Sequence, residues 1–173
     1  SQGQMRVAET RALLESGDYP CRDVDQNMAD LSAQLAANAT GVQALQKITA
    51  PFGLETVHAY MTHAQNNAKE SVRQGLDVLH DCDFTYRLDS GDQIQVGISV
   101  DHKARQGTID FTGTSPQNKY NYNAPLAICR AVVLYVFRTL VGADIPMNEG
   151  CLKPLTLVVP EGSMINPKAP AAV

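Results

Sequence analysis

The spacing of apolar residues changes close to residue 82, and that change limits the folds this chain can adopt. Before residue 82, apolar residues recur every three or four positions, which is the period of an α-helix. After it they alternate with polar residues, as in a strand with one buried face. Helices followed by strands within 173 residues predict an α+β fold.

Two long helices are predicted before the change of period. One apolar stripe runs over residues 28–45, behind an expected cap at Asp23 with Gln26 as its capping-box partner, and a second stripe runs over residues 54–79. The segment "APFG" at 50–53 separates them. Helices joined so closely should run antiparallel, so we predict a long antiparallel helical hairpin. The residues expected to be buried at its contact are Leu31, Leu35, Val57 and Met61.

Three strands and a further helix are predicted after residue 82. The strands are expected at 84–88, 94–100 and 109–111, as an antiparallel meander. The helix is expected to be capped by Asn123 and to run to Val141, with Gly142 closing it. It is apolar nearly all round, so we predict that it is buried against the meander. A last strand is predicted at 155–159.

These elements predict two parts within one compact unit. Residues 1–82 hold the N-terminal helices and the hairpin, and residues 83–173 hold the meander, a polar loop, the buried helix and the last strand. The sequence does not begin with Met, and it ends at "NPKAPAAV" without a polar tail. We therefore expect it to be a piece of a longer protein.

A polar segment between the third strand and the following helix is the main candidate for a binding site. Residues 112–123 place hydroxyl and amide side chains between two apolar elements. One interpretation is the solvated face of a half-covered sheet, which alternation alone predicts. The other is a platform of neutral hydrogen-bonding groups for a small polar ligand such as an amide or lactam. The candidate substrate-binding residues are Asp110, Thr112, Thr114, Asn121, Asn123 and Arg130.

Several of these candidates have an alternative role that the sequence leaves open. Asn123 stands at a helix N-terminus, where backbone N–H groups favour an anionic group such as a substrate carboxylate, but capping would use the same side chain. Asp110 could equally brace the loop through backbone amides. Arg130 lies in the apolar helix, where it either extends to solvent or binds a ligand carboxylate. No catalytic residue is assigned.

Charge and motif content exclude several classes of function. The net charge is −4 and no cluster of Lys and Arg is present, which argues against nucleic acid as a partner. The four cysteines and four histidines show no metal-ligand spacing, so we expect no metal site and reduced thiols in a cytoplasmic protein. No stretch is long and charge-free enough to span a bilayer, so we expect no membrane partner. Phosphate-loop, dinucleotide, nucleophile-elbow and zinc-protease motifs are all absent from the sequence.

Five strings together resemble the hydantoinase B part of the ATP-dependent oxoprolinase and hydantoinase family. They are "DQNMADLSAQLAANATG" (25–41), "FGLETVHAYMTHAQNNAKESVR" (52–73), "DFTGTSPQ" (110–117), "YNAPLAICRAVV" (122–133) and "DIPMNEGCLKPLTLVVPEGSMINPKAPAAV" (144–173). The resemblance covers the chain from about residue 5. It implies an ATP-dependent hydrolase of cyclic amides, which converts 5-oxoproline, ATP and water to glutamate, ADP and phosphate, as in glutathione metabolism, or acts on an N-methylhydantoin.

The resemblance also implies cofactors and partners. ATP and a divalent metal are implied for the full enzyme, bound outside this chain, and the isolated chain is expected to be inactive. The implied partner is an ATP-binding hydantoinase A-type part, on the same or a separate chain, in an enzyme expected to be oligomeric. Two alternatives stay open. The chain could be a non-catalytic scaffold that docks the hydantoinase A-type part, or a relative of acetone-type carboxylases.

Overall fold

The computed structural model describes residues 5–18, 20–142 and 147–173, and it confirms the predicted α+β class. In chain order the elements are α1 (Val7–Leu14), α2 (Val24–Phe52), α3 (Leu54–Leu76), β1 (Cys82–Arg87), β2 (Gln93–Asp101), β3 (Gln106–Asp110), α4 (Leu126–Val141), a 3₁₀ helix (Glu149–Leu152) and β4 (Leu155–Val158). The chain divides into one compact unit that ends at His58 and another that begins at Ala59. The division of the sequence at residue 82 stays a prediction.

The first unit is built on α2, a helix of 29 residues. The carboxylate of Asp23 accepts a hydrogen bond from the backbone N–H of Gln26 at 2.9 Å, so the predicted cap is confirmed. Met28 is the single buried side chain in α2. Five other large apolar side chains of this helix are 47% to 65% exposed, namely Leu35, Val42, Leu45, Ile48 and Phe52.

The burial predicted at the hairpin contact is confirmed for Val57 only, and Leu31 is half-buried. Leu35 is 51% exposed and Met61 is 44% exposed, whereas Val57 is 8% exposed. The period of a helix shows which of its faces is apolar, but not whether anything covers that face. The sequence pattern was therefore right about the stripe of α2 and wrong about its burial.

The break predicted at 50–53 is shorter than expected. α2 continues through Pro51 to Phe52, and only Gly53 separates it from α3. A proline in the last turn removes one backbone donor and leaves the earlier turns intact. Gly53 then turns the chain with a φ of 79°, a value that favours glycine, and its N–H donates to the carbonyl of Thr49 at 2.9 Å.

The second unit contains a four-stranded sheet in the order β1–β2–β3–β4. The predicted antiparallel meander is confirmed, with Val96 opposite Phe84 and Ile98 opposite Ile109. β4 instead pairs parallel to β3, with Leu157 opposite Ile109, so the sheet is mixed. Parallel neighbours cannot be joined by a tight turn, and here the chain crosses over through α4.

A hydrophobic core fixes α3 and α4 to one face of this sheet. The second half of α3 contributes three side chains with 0% exposure, and α4, β3 and the 3₁₀ helix contribute the rest. The buried members are Ala68, Val72, Leu76, Ile109, Val133, Phe137, Cys151 and Leu152. Ile109 identifies the covered face of the sheet, so its strand neighbours Thr108 and Asp110 lie on the opposite face.

The prediction that α4 is a buried helix is only half right. Cys129, Val133 and Phe137 are buried at four-residue intervals on one side. The other side is exposed and largely apolar, with Ile128, Val132, Tyr135, Val136 and Leu140 between 45% and 62% exposed. The sheet covers one face of a helix, and the described part of the chain leaves the outer face uncovered. No helix in that part is long and apolar enough to cross a membrane.

The 3₁₀ helix approaches α3 closely at Gly150. A Cβ atom at this position would lie 2.1 Å from the backbone oxygen of Gln65, which is much closer than two non-bonded atoms can approach. The side chain of Asn148 accepts a hydrogen bond from the Gly150 N–H at 2.8 Å and holds this turn in place. The absence of a side chain at residue 150 therefore allows the two elements to pack.

An ion-pair network joins α3 to the turn between β2 and β3. The Arg105 guanidinium donates to both carboxylate oxygens of Asp77, at 3.0 and 2.9 Å, and also to Glu70. Hydrogen bonds to Asp77 and Glu70 raise the pKa of Arg105, and the bond from Arg105 lowers the pKa of Glu70. The guanidinium fork thus fixes the last turns of α3 against the sheet.

We expect Gly150→Ala to lower the free energy of unfolding by about 1–3 kcal/mol, because the new methyl group overpacks a backbone contact. Gly41→Ala is the matched control, since nothing lies within 4 Å of a Cβ there and Gly41 is inside α2. The control should gain about 0.5–1 kcal/mol from helix propensity. Urea unfolding of the 173-residue chain measures both. Shifts of the same sign for the two variants would contradict the close approach.

The burial pattern predicts different costs for two leucines. Leu76→Ala should cost about 2–5 kcal/mol, because Leu76 is fully buried in the core. Leu35→Ala should stay within about 0.5 kcal/mol of the parent chain, as is usual for exposed positions. Thermal unfolding monitored by circular dichroism gives the comparison. A loss at Leu35 as large as that at Leu76 would show that the stripe of α2 is covered after all.

Candidate functional site

The polar loop begins with a turn that is bonded to β2. The hydroxyl of Thr114 accepts from the backbone N–H of Gln95 and donates to its carbonyl, both at 3.1 Å. One step further, the backbone N–H of Gln93 donates to the hydroxyl of Ser115 at 2.9 Å, and the backbone N–H of Ser115 donates to the carbonyl of Gln93 at 2.9 Å. The hydroxyl groups of Thr114 and Ser115 thus continue the hydrogen-bond ladder along the edge of β2. Thr114 therefore fixes the position of the loop.

The carboxylate of Asp110 braces the same turn. It accepts the backbone N–H of Thr112 at 2.8 Å. Hydrogen bonds from the hydroxyl and from the backbone N–H of Thr112 lower the pKa of Asp110 below its usual value. Asp110 is therefore ionised at neutral pH. Its hydrogen bond from the Thr112 N–H is the bracing role that the sequence left open beside ligand binding.

The middle of the loop packs on the C-terminal segment. The backbone N–H of Gln117 donates to the carbonyl of Gly162 at 2.8 Å, and its side-chain oxygen accepts the N–H of Lys168 at 2.7 Å. The N–H of Met164 donates to the carbonyl of Ser115 at 3.0 Å. Polar residues in this loop thus satisfy backbone groups of two chain segments that would otherwise lack partners.

Asn123 does not cap α4, contrary to prediction. The N-cap position is Pro125, which makes no side-chain cap, and the amide of Asn123 is 6% exposed within the loop. Its oxygen accepts the N–H of Asn118 at 2.9 Å, and its nitrogen donates to the carbonyls of Asn118, Tyr120 and Ala172 at 3.0, 3.0 and 2.8 Å. Once a side chain is bonded to four partners it has little capacity left for a ligand.

The tip of the loop is the part that stays accessible. Asn121 is exposed, and its side chain forms no hydrogen bond with the residues that the structure describes. Tyr120 and Tyr122 flank it and are 61% and 73% exposed. The tip thus combines an available amide with two aromatic rings.

The sheet face opposite the helices forms a polar hollow beside the end of β3. Its volume is about 410 Å³, and it is lined by side chains that include Asp83, Ser99, Thr108 and Asp110. Gly97 pairs with both Asp83 and Asp110, so it lies between the two carboxylates. A Cβ at Gly97 would meet only the carbonyl oxygen of Asp110, at 3.9 Å. Packing does not require glycine here, and an interior strand glycine often marks close approach by another group.

Arg130 lies apart from the other candidates. Its guanidinium pairs with Glu149 in a cleft lined by Leu155 and Leu157, which share the covered face of the sheet with Ile109. The hollow at Asp110 is on the opposite face. The structure therefore brings Asp110, Thr112 and Thr114 together, leaves Asn121 at the loop tip, uses Asn123 internally, and separates Arg130 from all of them.

The described side chains do not fit a divalent metal. No group of three or more His, Cys, Asp or Glu suited to an ion occurs within residues 5–18, 20–142 and 147–173. The hollow offers hydroxyls and carboxylates that can accept hydrogen bonds from a neutral amide.

Comparison with known proteins gives this arrangement a context. The sequence profile described as hydantoinase B/oxoprolinase matches residues 1–173. The chain belongs to this family. It is 40% identical over 169 residues to the 5-oxoprolinase of Saccharomyces cerevisiae, and 29% identical over 161 residues to a putative D-/L-hydantoinase subunit from a Pseudomonas species. These matches cover 92% and 83% of the chain.

A solved structure supports the fold of this hydantoinase B/oxoprolinase chain. The ATP-dependent caprolactamase from Pseudomonas jessenii superposes with a TM-score of 0.73 over 99% of the chain, at 22% sequence identity. The relatives are longer proteins. The chain spans 13% of the yeast 5-oxoprolinase, 27% of the hydantoinase subunit and 30% of the caprolactamase chain.

Two groups of residues near the candidates were missed from the sequence. Gln93, Gln95 and Ser115 brace the loop, and strand alternation alone gives no reason to select them. Asp83 could have been found. Gly97 is opposite both Asp83 and Asp110 in the antiparallel register, so the side chains of the two aspartates lie on the same face of the sheet. That inference requires the register, which the sequence pattern fixes only to within a residue or two.

Thr112→Val should raise the pKa of Asp110 toward its usual value, because it removes the hydroxyl bond that contributes most to the shift. A carboxyl with a lowered folded pKa stabilises the fold above its unfolded pKa, and that stabilisation is lost as pH falls through its folded pKa. The variant should therefore lose less stability on acidification. Carbon-13 NMR titration of the Asp110 carboxyl is the measurement, with Thr108→Val on the same sheet face as control. Equal effects of the two variants would rule out the Thr112 bond as the cause.

Proposed function

We propose that this chain is the part of an ATP-dependent cyclic amide hydrolase that forms one wall of its substrate pocket, and that the substrate is 5-oxoproline. The observation that carries the proposal is the 40% identity to yeast 5-oxoprolinase over 92% of the chain. The longer protein would hydrolyse ATP while opening the ring to glutamate, in the setting of glutathione metabolism. An N-methylhydantoin is the alternative substrate, in line with the match to a putative hydantoinase subunit.

The proposed wall consists of the hollow above Gly97 and the tip of the polar loop. Asp110, whose pKa is lowered by its hydrogen bonds from Thr112, lies in the hollow with Ser99 and Thr108. A lactam N–H can donate to these acceptors, and its carbonyl can accept from the free amide of Asn121. No group of side chains suited to hold a metal ion occurs in this wall among the described residues. Its role is therefore to bind and orient the amide, while ATP and a divalent metal belong to other segments of the longer protein.

A second role is favoured by the exposed apolar faces. The outer face of α4 and the stripe of α2 both present large apolar side chains to solvent. Contiguous apolar surface of this kind is typical of regions that pack against another protein segment. We therefore propose, as the alternative, a scaffold that docks an ATP-binding hydantoinase A-type part within an oligomeric enzyme. A relationship to acetone-type carboxylases has no such observation behind it.

The cellular setting that we propose is the cytoplasm. All four cysteines are free, and Cys129 and Cys151 are buried in the second unit. Burial raises the pKa of the Cys129 thiol, which keeps it protonated and unreactive. Free thiols, with that of Cys129 unreactive, support a protein that works in a reducing compartment.

Substitution at the loop tip tests the proposed function. In the longer protein that carries this chain, Asn121→Ala should lower kcat/KM for 5-oxoproline about 2- to 10-fold, the effect of losing one hydrogen bond to the substrate. Its unfolding midpoint should stay unchanged, because the side chain makes no hydrogen bond within the described chain. Release of phosphate that depends on 5-oxoproline is the readout.

Two further variants make the test specific. Asn66→Ala, at an exposed asparagine in α3, should change neither turnover nor stability appreciably. Asn123→Ala should lower stability by about 1–3 kcal/mol or more, because it leaves buried backbone groups unpaired. If Asn121→Ala behaves like Asn123→Ala and keeps its turnover per folded molecule, the loop serves only as architecture. The 173-residue chain alone should release no phosphate.

A further inference from the structure

The cleft that contains Arg130 has the features of a separate binding site. It has a volume of about 210 Å³ and lies where α4, the 3₁₀ helix and β4 meet. Its floor is apolar and its rim is charged, with two cations and one anion. The residues that line it are Arg130, Glu149, Leu152, Lys153, Leu155 and Leu157.

The ion pair in this cleft is exposed, so another carboxylate can replace Glu149 on Arg130 at little cost. The side chains of Arg130 and Glu149 are 46% and 61% exposed, and pairs this exposed contribute little stability. One guanidinium nitrogen of Arg130 donates to one oxygen of Glu149, and no second hydrogen bond from Arg130 to a described residue is present. A guanidinium has five N–H donors arranged to bind a carboxylate through two parallel bonds. Arg130 therefore has unused N–H donors that can bind a second carboxylate.

The rest of the cleft selects the kind of molecule that could bring that carboxylate. Lys153 adds a second positive charge and has no ion-pair partner among the residues described. The side chains of Leu152, Leu155 and Leu157 form an apolar floor, which suits methylene groups and not a second charge. The chemistry points to a small monocarboxylate with a short or cyclic hydrocarbon body.

We propose that this cleft is a carboxylate-binding subsite, in which the carboxylate of a small ligand displaces Glu149 from Arg130 while the leucine floor holds its hydrocarbon part. Glu149 then acts as an internal competitor that sets the affinity. The identity of the ligand as 5-oxoproline rests on the proposed function. The carboxylate is what separates 5-oxoproline from a plain lactam, so the cleft would bind the acid and not the lactam, as a second molecule separate from one held in the hollow. It lies on the helix side of the sheet, away from the hollow at Asp110.

Titration of the 173-residue chain with three probes tests the subsite. The probes are acetate, 5-oxoproline and 2-pyrrolidinone, which is the same lactam without its carboxylate. The readout is the NMR signal of the Arg130 Nε–H group. Acetate and 5-oxoproline should shift it with a Kd on the order of millimolar, as expected of molecules this small, and 2-pyrrolidinone should not.

Variants at the two charges should act in opposite directions. Glu149→Gln should tighten binding of 5-oxoproline about 3- to 10-fold, because it removes the competing charge. Arg130→Gln should weaken binding about 10-fold or more, and Arg130→Lys should fall between, since it keeps the charge and loses the fork. The matched control is Glu161→Gln, which removes a carboxylate from another exposed ion pair, with Lys168. It should bind like the parent chain.

The outcomes separate this proposal from the proposed function. If neither acetate nor 5-oxoproline binds in an Arg130-dependent way, or if 2-pyrrolidinone binds as well as the acid, the subsite is overturned. Binding of acetate without 5-oxoproline keeps the carboxylate subsite and rejects that ligand. If Arg130→Gln weakens association with a hydantoinase A-type part while no probe binds the chain, the cleft is a protein contact and the proposal fails. Loss of turnover in the Asn121 variant bears on none of these results.

Discussion

The parallel pairing of β3 with β4 is the constraint on which the arrangement of the second unit depends. The two strands run in the same direction, so the chain must leave one end of the sheet, cross its covered face and return to the other end. α4 provides that crossing and its buried side closes the core. The loop before α4 has to reverse the chain at the end of β3, and the cleft of Arg130 forms where the returning chain meets α4.

The polar loop has a structural reason for its composition. A connection that turns beside a sheet and under a C-terminal segment contains many backbone groups without partners, and hydroxyl and amide side chains satisfy them. Thr114 bonds to β2, Gln117 to the C-terminal segment, and Asn123 both to groups within the loop and to Ala172. What remains for a ligand is the short list of groups not used in this way, namely Asn121 at the tip and the hollow beside Asp110.

The sequence predicted elements well and contacts between distant residues poorly, for physical reasons. Changes of period located the helices and the meander, because periodicity is a local property. It could not tell that Leu35 and Val132 would be exposed, since burial depends on what lies opposite. Nor could it pair Arg130 with Glu149, which are 19 residues apart, the first inside the crossover helix and the second after it. Asn123 was assigned a local cap, whereas a partner 49 residues away, Ala172, competes for its amide.

The outer edge of β1 is open to pairing with another extended chain. All six of its residues are exposed, and no described strand pairs with that edge. Phe84 and Tyr86 point to the helix side of the sheet and remain 62% and 58% exposed. Another extended chain that adds to this edge would gain backbone hydrogen bonds and cover both rings, so β1 is where ordered self-association of this unit would begin. Asp83 and Arg87, charged residues on the same strand, are the features that oppose it.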